Sequence, residues 1–278
     1  LRIPGETSEA RALSELELLW ESSPCLRPAM SPEGRVAADQ SGGRLAVDSQ
    51  GGIILASGDF RLGVVQDQEF GGVKAQSITS RPTILGDNTP YGKILRIKQG
   101  GPAEIISSGH RNPQGLYFDE TGGRLWSTEH GPKGGDELNL IVEGADYGWP
   151  DVSYGIPYGP GKPLGDFSLS RWGNHVGFEA PRFSWMPSVA ASQVLVYRGE
   201  EFPGWQGDLL MGTLRDESVY RLRLEDTRIV FAERIEFGER DARFRRIRDL
   251  IALPDGRIVL SFDAGSLALV SVASPGAP

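Results

Sequence analysis

The chain has 278 residues, with 37 Asp and Glu against 29 Lys and Arg, so its formal net charge at pH 7 is −8. This length suits one large domain, and the acidic balance argues against a general nucleic-acid or anionic-membrane surface. Cys25 is the only cysteine, which excludes an intrachain disulfide. No apolar run reaches the ~18 residues of a membrane span.

Three segments repeat one pattern, which is an apolar stretch, a turn containing Gly, and a second β-rich stretch. In chain order they are residues 43–59, 115–130 and 249–263. A looser copy covers 192–214, between single predicted strands at 92–98 and 218–226. Turns rich in Asp and Gly between such stretches favour β-hairpins.

Hairpins that recur at intervals of tens of residues, with little helical periodicity, are typical of a β-propeller. We therefore predict an all-β propeller, with a β-sandwich as the alternative fold. The predicted inner strands include 43–48, 115–119, 192–197 and 248–253.

The whole chain, 1–278, is expected to form this single domain. Residues 1–38 form an atypical N-terminal segment, and 273–278, rich in Pro and Gly, form a tail. The stretches 60–91 and 144–187 are longer than a compact domain usually tolerates without a functional use.

Several arginines stand where predicted strands begin: Arg111, Arg215, Arg246 and Arg248. Inner strands of a propeller begin near one end of the central channel, so these side chains can converge from different blades. A solvated basic face is the alternative for the run 243–248. A converging guanidinium cluster favours a small polyanion, because guanidinium forks bind carboxylates or phosphates through paired hydrogen bonds.

The segment STEHGPKGGDELNL, residues 127–140, places Gly and Pro just after a predicted strand. Turn backbone of this kind can direct carbonyl oxygens at a hard cation such as calcium. The histidines His110, His130 and His175 lack the spacing of an HxH or HExxH metal site. A packing role is the simpler interpretation of each.

Four motifs, GHRNPQGL, EHGPKGGDELNLIVEGADYGWP, WMPSVAAS and RIRDLIALPDG, occur in this order in the chain. They resemble the soluble PQQ-dependent sugar dehydrogenases, the glucose/sorbosone and aldose sugar dehydrogenase family, over about residues 39 to 270. The resemblance implies a six-bladed propeller that binds pyrroloquinoline quinone (PQQ) and calcium. It also implies oxidation of aldoses at the anomeric carbon to lactones, an external electron acceptor, and a periplasmic or secreted location.

The resemblance assigns roles to two pairs of neighbouring residues. Arg111 and Asn112 correspond to the family's active-site pair that faces the quinone. Gly131 and Pro132 correspond to the residues whose backbone carbonyls hold the cofactor's calcium.

Four further residues correspond to cofactor contacts. Ser188 falls where the family has Thr or Ser on the cofactor, and Arg215 falls where it usually has Lys. Arg246 and Arg248 match its two carboxylate-clamping arginines. PQQ, a tricarboxylate ortho-quinone, is a polyanion of the size that the arginines favour.

The chain departs from the family at the catalytic base. The family motif HxGGRL opens with the histidine that takes the proton from the sugar's anomeric hydroxyl, and an Asp orients that histidine. Here the stretch is DQSGGRL, so Gln40 occupies the base position while Asp59 keeps the orienting place. A carboxamide cannot act as a general base at neutral pH, and Asp39 would need a bulge to face the same way.

A second departure is length, because too few residues precede position 39 for the family's first blade. We expect a propeller shortened by about one blade.

Three functions remain open on the sequence. The first is a PQQ- and calcium-dependent aldose dehydrogenase. The second is a catalytically degenerate propeller that binds a ligand without turning it over, since folds can outlive their chemistry. The third is a calcium-dependent propeller hydrolase acting on lactones, which would need clustered acidic and amide side chains at the channel.

Overall fold

The computed structural model describes residues 18–23, 40–60, 89–98, 101–155, 173–237 and 241–272. Most of the N-terminal segment 1–38 and the tail 273–278 lie outside the described residues, as do parts of both long connections. Asp39 is also outside them.

The described residues form four antiparallel sheets, each built from strands in chain order. The first blade comprises β1 Gly42–Val47, β2 Ile53–Ser57, β3 Lys93–Ile97 and β4 Glu104–Ser108. The second comprises β5 Pro113–Asp119, β6 Arg124–Glu129, β7 Asp136–Ile141 and β8 Phe183–Trp185. The third comprises β9 Ala191–Val196, β10 Leu209–Thr213, β11 Val219–Glu225 and β12 Arg228–Ile235. The fourth comprises β13 Ile247–Ala252, β14 Ile258–Phe262 and β15 Leu267–Val270.

This arrangement confirms the all-β propeller prediction and excludes the sandwich. The predicted inner strands coincide within two residues with β1, β5, β9 and β13, the first strands of the four sheets. Two 3-10 turns, Pro203–Trp205 and Ala242–Phe244, interrupt the connections. The described part of the chain has no helix long and apolar enough to cross a membrane. The expected shortening by about one blade stays a prediction.

The turns explain why the hairpins could be recognised. In the β1–β2 turn, Asp48 Oδ1 accepts hydrogen bonds from the backbone N–H of Gln50 (2.9 Å) and Gly52 (2.7 Å). Gly51 in this turn has φ of +80°, a conformation that glycine adopts without steric cost. The turn is thus stabilised by residues within the local sequence itself.

Apolar cores lie between neighbouring blades. Ile54, Ile94 and Leu116 are buried between the first and second blades. Trp126, Leu138, Val194, Leu209, Met211 and Leu222 are buried between the second and third. Leu210, Ile247, Leu250 and Leu260 fill the space between the third and fourth. This packing fixes each blade against the next, and therefore fixes the loops at the ends of their first strands.

Candidate functional site

The candidate residues lie at one end of the blades, where the first strand begins and the second strand ends. Antiparallel pairing places these two points side by side. The pairs Gly42–Ser57, Pro113–Glu129, Ala191–Thr213 and Ile247–Phe262 show this in all four blades. Each blade therefore contributes one residue group before its first strand and one after its second. These groups are Gln40 and Asp59, Arg111 and Gly131, Ser188 and Arg215, and Arg246 and Asp263.

Gln40 lies between a buried carboxylate and a guanidinium. With its amide oriented so that both ends find partners, its Nε2 donates to Asp59 Oδ1 (2.8 Å) and its Oε1 accepts from Arg111 Nη2 (2.8 Å). Asp59 is fully buried, and its Oδ2 accepts from Trp149 Nε1 (2.8 Å). Gln40 thus lies between Asp59 and Arg111 and forms a hydrogen bond with each.

Arg111 joins this group to the loop after β6. Its Nη1 donates to the carbonyl oxygens of His130 (2.9 Å) and Gly131 (2.8 Å). Its guanidinium carbon lies 5.3 Å from the centre of the Trp149 ring, within the range of a cation–π contact. The side chain is held on three sides and is nearly buried.

Asp263 binds both arginines of the fourth blade. Its Oδ2 accepts from Arg246 Nε (2.7 Å) and its Oδ1 from Arg248 Nε (2.7 Å). The hydrogen bond from Arg248, and the weaker influence of Arg246, lower the pKa of Asp263. The two guanidinium groups, 49% and 42% exposed, remain accessible to an anion.

Asp136 ties the second and third blades together at this end. Its Oδ2 accepts from Ser188 Oγ (2.7 Å) and from the backbone N–H of Ala190 (2.5 Å), and its Oδ1 accepts from the N–H of Gly131 (3.2 Å). Arg215 reaches the same loop, because its backbone N–H donates to Val189 O (3.1 Å) while its side chain is exposed. Ser188 therefore donates its hydroxyl hydrogen within the chain, and because its Oγ also accepts from the N–H of Ala190 (3.3 Å), one lone pair is left for a ligand.

The loop after β6 concentrates carbonyl oxygens. A Cβ placed on Gly131 would lie 2.3 Å from Gly134 O and 2.4 Å from Gly135 O. Within the described residues, no three His, Cys, Asp or Glu side chains are grouped to hold a metal. A hard cation at this end would thus depend on backbone carbonyls, and an oxygen donor set of this kind fits calcium. The Gly131 carbonyl already accepts from Arg111, so a cation there would share it.

Two buried carboxyl groups, Glu129 and Glu137, face each other across β6 and β7. Burial raises the pKa of Glu129 to about 7. Burial, together with the adjacent Glu129, raises the pKa of Glu137 well above its usual range. Burial and proximity favour the protonated forms of these two carboxyl groups, because two adjacent buried negative charges would repel each other.

His110 and His130 are held by contacts within the protein. His110 is buried, its Nε2 lies 2.8 Å from Ser107 Oγ, and its ring stacks on Tyr147 at 4.8 Å. His130 Nε2 lies 2.7 Å from Ala191 O. Burial lowers the pKa of His130. The packing interpretation of these two residues agrees with the structure.

Sequence reasoning missed several members of this end. Asp263 and Trp149 were not predicted, nor were Gln114 and Arg44. Arg44 Nη1 donates to Asp249 Oδ2 (2.6 Å), and Arg44 Nε donates to Gln114 O (3.0 Å), so it links three blades. The sequence did contain a signal for Asp263. It ends the tripeptide SFD after β14, just as Asp59 ends the tripeptide SGD after β2.

The chain resembles known sugar dehydrogenases in sequence. The family model described as Glucose / Sorbosone dehydrogenase matches residues 5–271. Aldose sugar dehydrogenase YliI of Escherichia coli (strain K12) is 34% identical over 234 residues, which cover 83% of this chain and 59% of that protein. Quinoprotein glucose dehydrogenase B of Acinetobacter calcoaceticus is 28% identical over 241 residues, covering 65% of this chain and 50% of that protein.

Solved structures agree with the fold. The soluble aldose sugar dehydrogenase from Escherichia coli in the apo-form matches with a TM-score of 0.67 and 29% identity, over 84% of this chain and 65% of that one. The PQQ-bound aldose sugar dehydrogenase from Streptomyces coelicolor matches with a TM-score of 0.57 and 23% identity, over 84% of this chain and 62% of that one. The chain spans about half to three fifths of the length of these two curated relatives. From the extent of the family match, the chain belongs to the glucose/sorbosone dehydrogenase family.

Proposed function

We propose that the chain binds PQQ with calcium at the end of the blades where Arg111, Asn112, Arg246 and Arg248 lie, and that it oxidises an aldose at the anomeric carbon to the lactone. The observation that carries the proposal is the connected group of guanidiniums and carbonyl oxygens at this end, in a protein whose net charge is −8. The similarity to Quinoprotein glucose dehydrogenase B supports the choice of quinone.

The residues present fit the cofactor. Arg246 and Arg248 would bind a carboxylate with the guanidinium nitrogens that Asp263 leaves over, and Arg215 and Ser188 would add contacts from the third blade. Arg111 and Asn112 would donate to quinone oxygens. The carbonyls of Gly131 and Pro132 would bind calcium, as the family resemblance implies.

The chemistry divides between cofactor and chain. Oxidation at C1 of an aldose removes the anomeric hydroxyl proton and a hydride, and the two-electron oxidising chemistry, assisted by calcium, is what PQQ supplies when bound. The residues of the chain would bind the cofactor and the aldose and orient them toward each other. Gln40 holds Asp59 and Arg111 in place by two hydrogen bonds, but its amide has no proton affinity near neutral pH, so we expect slow turnover.

Because Gln40 is not a base, the test of this proposal also decides on the alternative function, a propeller that binds the cofactor or a sugar without turning it over. The two functions differ in a single outcome, aldose-dependent electron transfer. An external acceptor and a periplasmic or secreted location belong to the dehydrogenase proposal by resemblance to the family.

The test is reduction of an artificial dye by the chain after reconstitution with PQQ and calcium. We expect slow reduction with an aldose and none with the matching 1-deoxy sugar, which lacks the anomeric hydroxyl. Cofactor binding without aldose-dependent reduction would favour the binding function and contradict the dehydrogenase.

A further inference from the structure

A chain of hydrogen bonds crosses three blades beneath the arginines. Arg248 Nη1 donates to Gln114 Oε1 (3.3 Å), and Gln114 Nε2 donates to Asn112 Oδ1 (2.8 Å). Asn112 Nδ2 lies 3.4 Å from His130 Nδ1, and His130 Nε2 lies 2.7 Å from Ala191 O. The path runs from the fourth blade through the second to the third.

We call this path, from Arg248 through Gln114, Asn112 and His130 to Ala191, the relay. Its two ends determine the direction of every hydrogen bond in it. Arg248 can only donate, and a backbone carbonyl can only accept. His130 therefore carries its hydrogen on Nε2, which donates to Ala191 O, and presents Nδ1 as an acceptor. Asn112 then has to direct its N–H end at His130 and its oxygen at Gln114.

Gln114 is the link that holds the oxygen end of the Asn112 amide, opposite the end that His130 holds. Only a side chain that accepts at one end and donates at the other can join the Arg248 donor to the Asn112 oxygen. One hydrogen of Asn112 Nδ2 is used by His130, so the second remains as the donor that a ligand oxygen can use. We propose that Gln114 is a positioning residue, which fixes Asn112 as a hydrogen-bond donor to an oxygen of the bound ligand.

This inference rests on the proposed function for the identity of the ligand, but not for the orientation of Asn112. The third blade offers a matched control in Gln193, also half-buried on an inner strand. Its Oε1 accepts from the N–H of Leu116 (3.0 Å) and its Nε2 donates to Leu116 O (3.4 Å), so it joins two blades without contacting the relay.

The first experiment records side-chain amide signals of Asn112 by 15N NMR in the cofactor-free chain. In Gln114→Glu, both carboxylate oxygens accept, so Asn112 Oδ1 loses its donor and faces an acceptor while His130 still accepts from Asn112 Nδ2. The Asn112 signal should therefore move to one new position. The side chain in Gln114→Met can neither accept from Arg248 nor donate to Asn112, so the Asn112 signal should broaden or split. Gln193→Met should leave it unchanged. An Asn112 signal that is the same in wild type and both Gln114 variants would overturn the proposal.

The second experiment measures the affinity for PQQ in calcium by fluorescence titration. Gln114→Met should weaken binding about tenfold, within the range of one misplaced hydrogen bond, and Gln193→Met by less than about twofold. Equal affinities for the two Met variants would contradict the proposal. If the wild type binds no PQQ, the proposed function fails, while the amide signals still decide whether Gln114 orients Asn112. Circular dichroism confirms that each variant is folded.

Discussion

Gln40 and Asp59 are joined by a hydrogen bond of 2.8 Å from a carboxamide nitrogen to a buried carboxylate oxygen. Asp59 would orient an imidazole at position 40 in the same way, because its Oδ2 is already fixed by Trp149. Under the proposed function, Asp59 would be the orienting partner of a base, and the Gln40 amide would occupy the position of that base.

The first prediction follows from this pair. Gln40→His introduces a group with a pKa near neutrality next to Asp59, and we expect turnover in aldose-dependent dye reduction to rise about 100-fold. Gln50→His, on the exposed turn of the same hairpin, is the control and should have no effect. A Gln40→His variant that binds PQQ without a gain in turnover would show that another defect limits the site.

The second prediction concerns the anchor between two blades. Both carboxylate oxygens of Asp136 accept hydrogen bonds, whereas Asn has only one accepting end. In Asp136→Asn, the donors on one side, either Gly131 or Ser188 and Ala190, therefore lose their acceptor. We expect a loss of about 2–4 kcal/mol in the free energy of unfolding, measured in urea. Asp255→Asn, whose carboxylate is exposed, should change it by less than about 0.5 kcal/mol. Equal effects of both substitutions would refute the anchoring role.

The third prediction concerns the carbonyl-rich loop. Gly131→Ala adds a methyl group where two carbonyl oxygens lie within 2.4 Å, so the loop must shift. We expect calcium-dependent binding of PQQ to weaken at least about tenfold, because cation sites depend on ligand geometry. Gly101→Ala is the control, since a Cβ there meets no atom within 4 Å. Unchanged calcium dependence in Gly131→Ala would argue against a cation at this loop.

The fourth prediction is a pH dependence of stability from the buried carboxyl pair. The pKa of Glu129 rises from 4.5 to about 7 on folding, so between these values the folded chain binds more protons than the unfolded chain. Stability should therefore fall as pH rises through this window, by on the order of 3 kcal/mol. The measurement is urea unfolding between pH 4 and 8 with a calcium chelator present.

The matching variant is Glu137→Gln, which replaces the neighbouring acid by an amide that can donate to Glu129. The fall in stability across the window should become smaller, because Glu137, whose own pKa is raised on folding, no longer contributes to it, while the amide keeps a donor beside Glu129. Glu143→Gln, at an exposed position, should leave the pH profile unchanged. A profile that is identical in wild type and Glu137→Gln would contradict the pairing.

The sequence predicted those parts of the site that depend on local pattern. Turns such as DSQGG revealed the hairpins. The spacing of Arg246 and Arg248 indicated that they act together, and their shared contact with Asp263 is consistent with this. Gln114 could not be recognised, because only the packing of blades brings it within reach of Arg248. The carboxamide of Gln40 was predicted beside Asp59, but its hydrogen bond to Arg111 was not.

The most direct measurement is an equilibrium titration of the wild-type chain with PQQ, followed by absorbance with and without calcium. We expect saturable binding of about one equivalent that requires calcium. Arg248→Ala should weaken this binding about tenfold or more, and Arg257→Ala, an exposed arginine paired with Asp255 in the same blade, should not. No saturable spectral change, or the same isotherm for Arg248→Ala and wild type, would contradict the claim that this end of the propeller is a PQQ site.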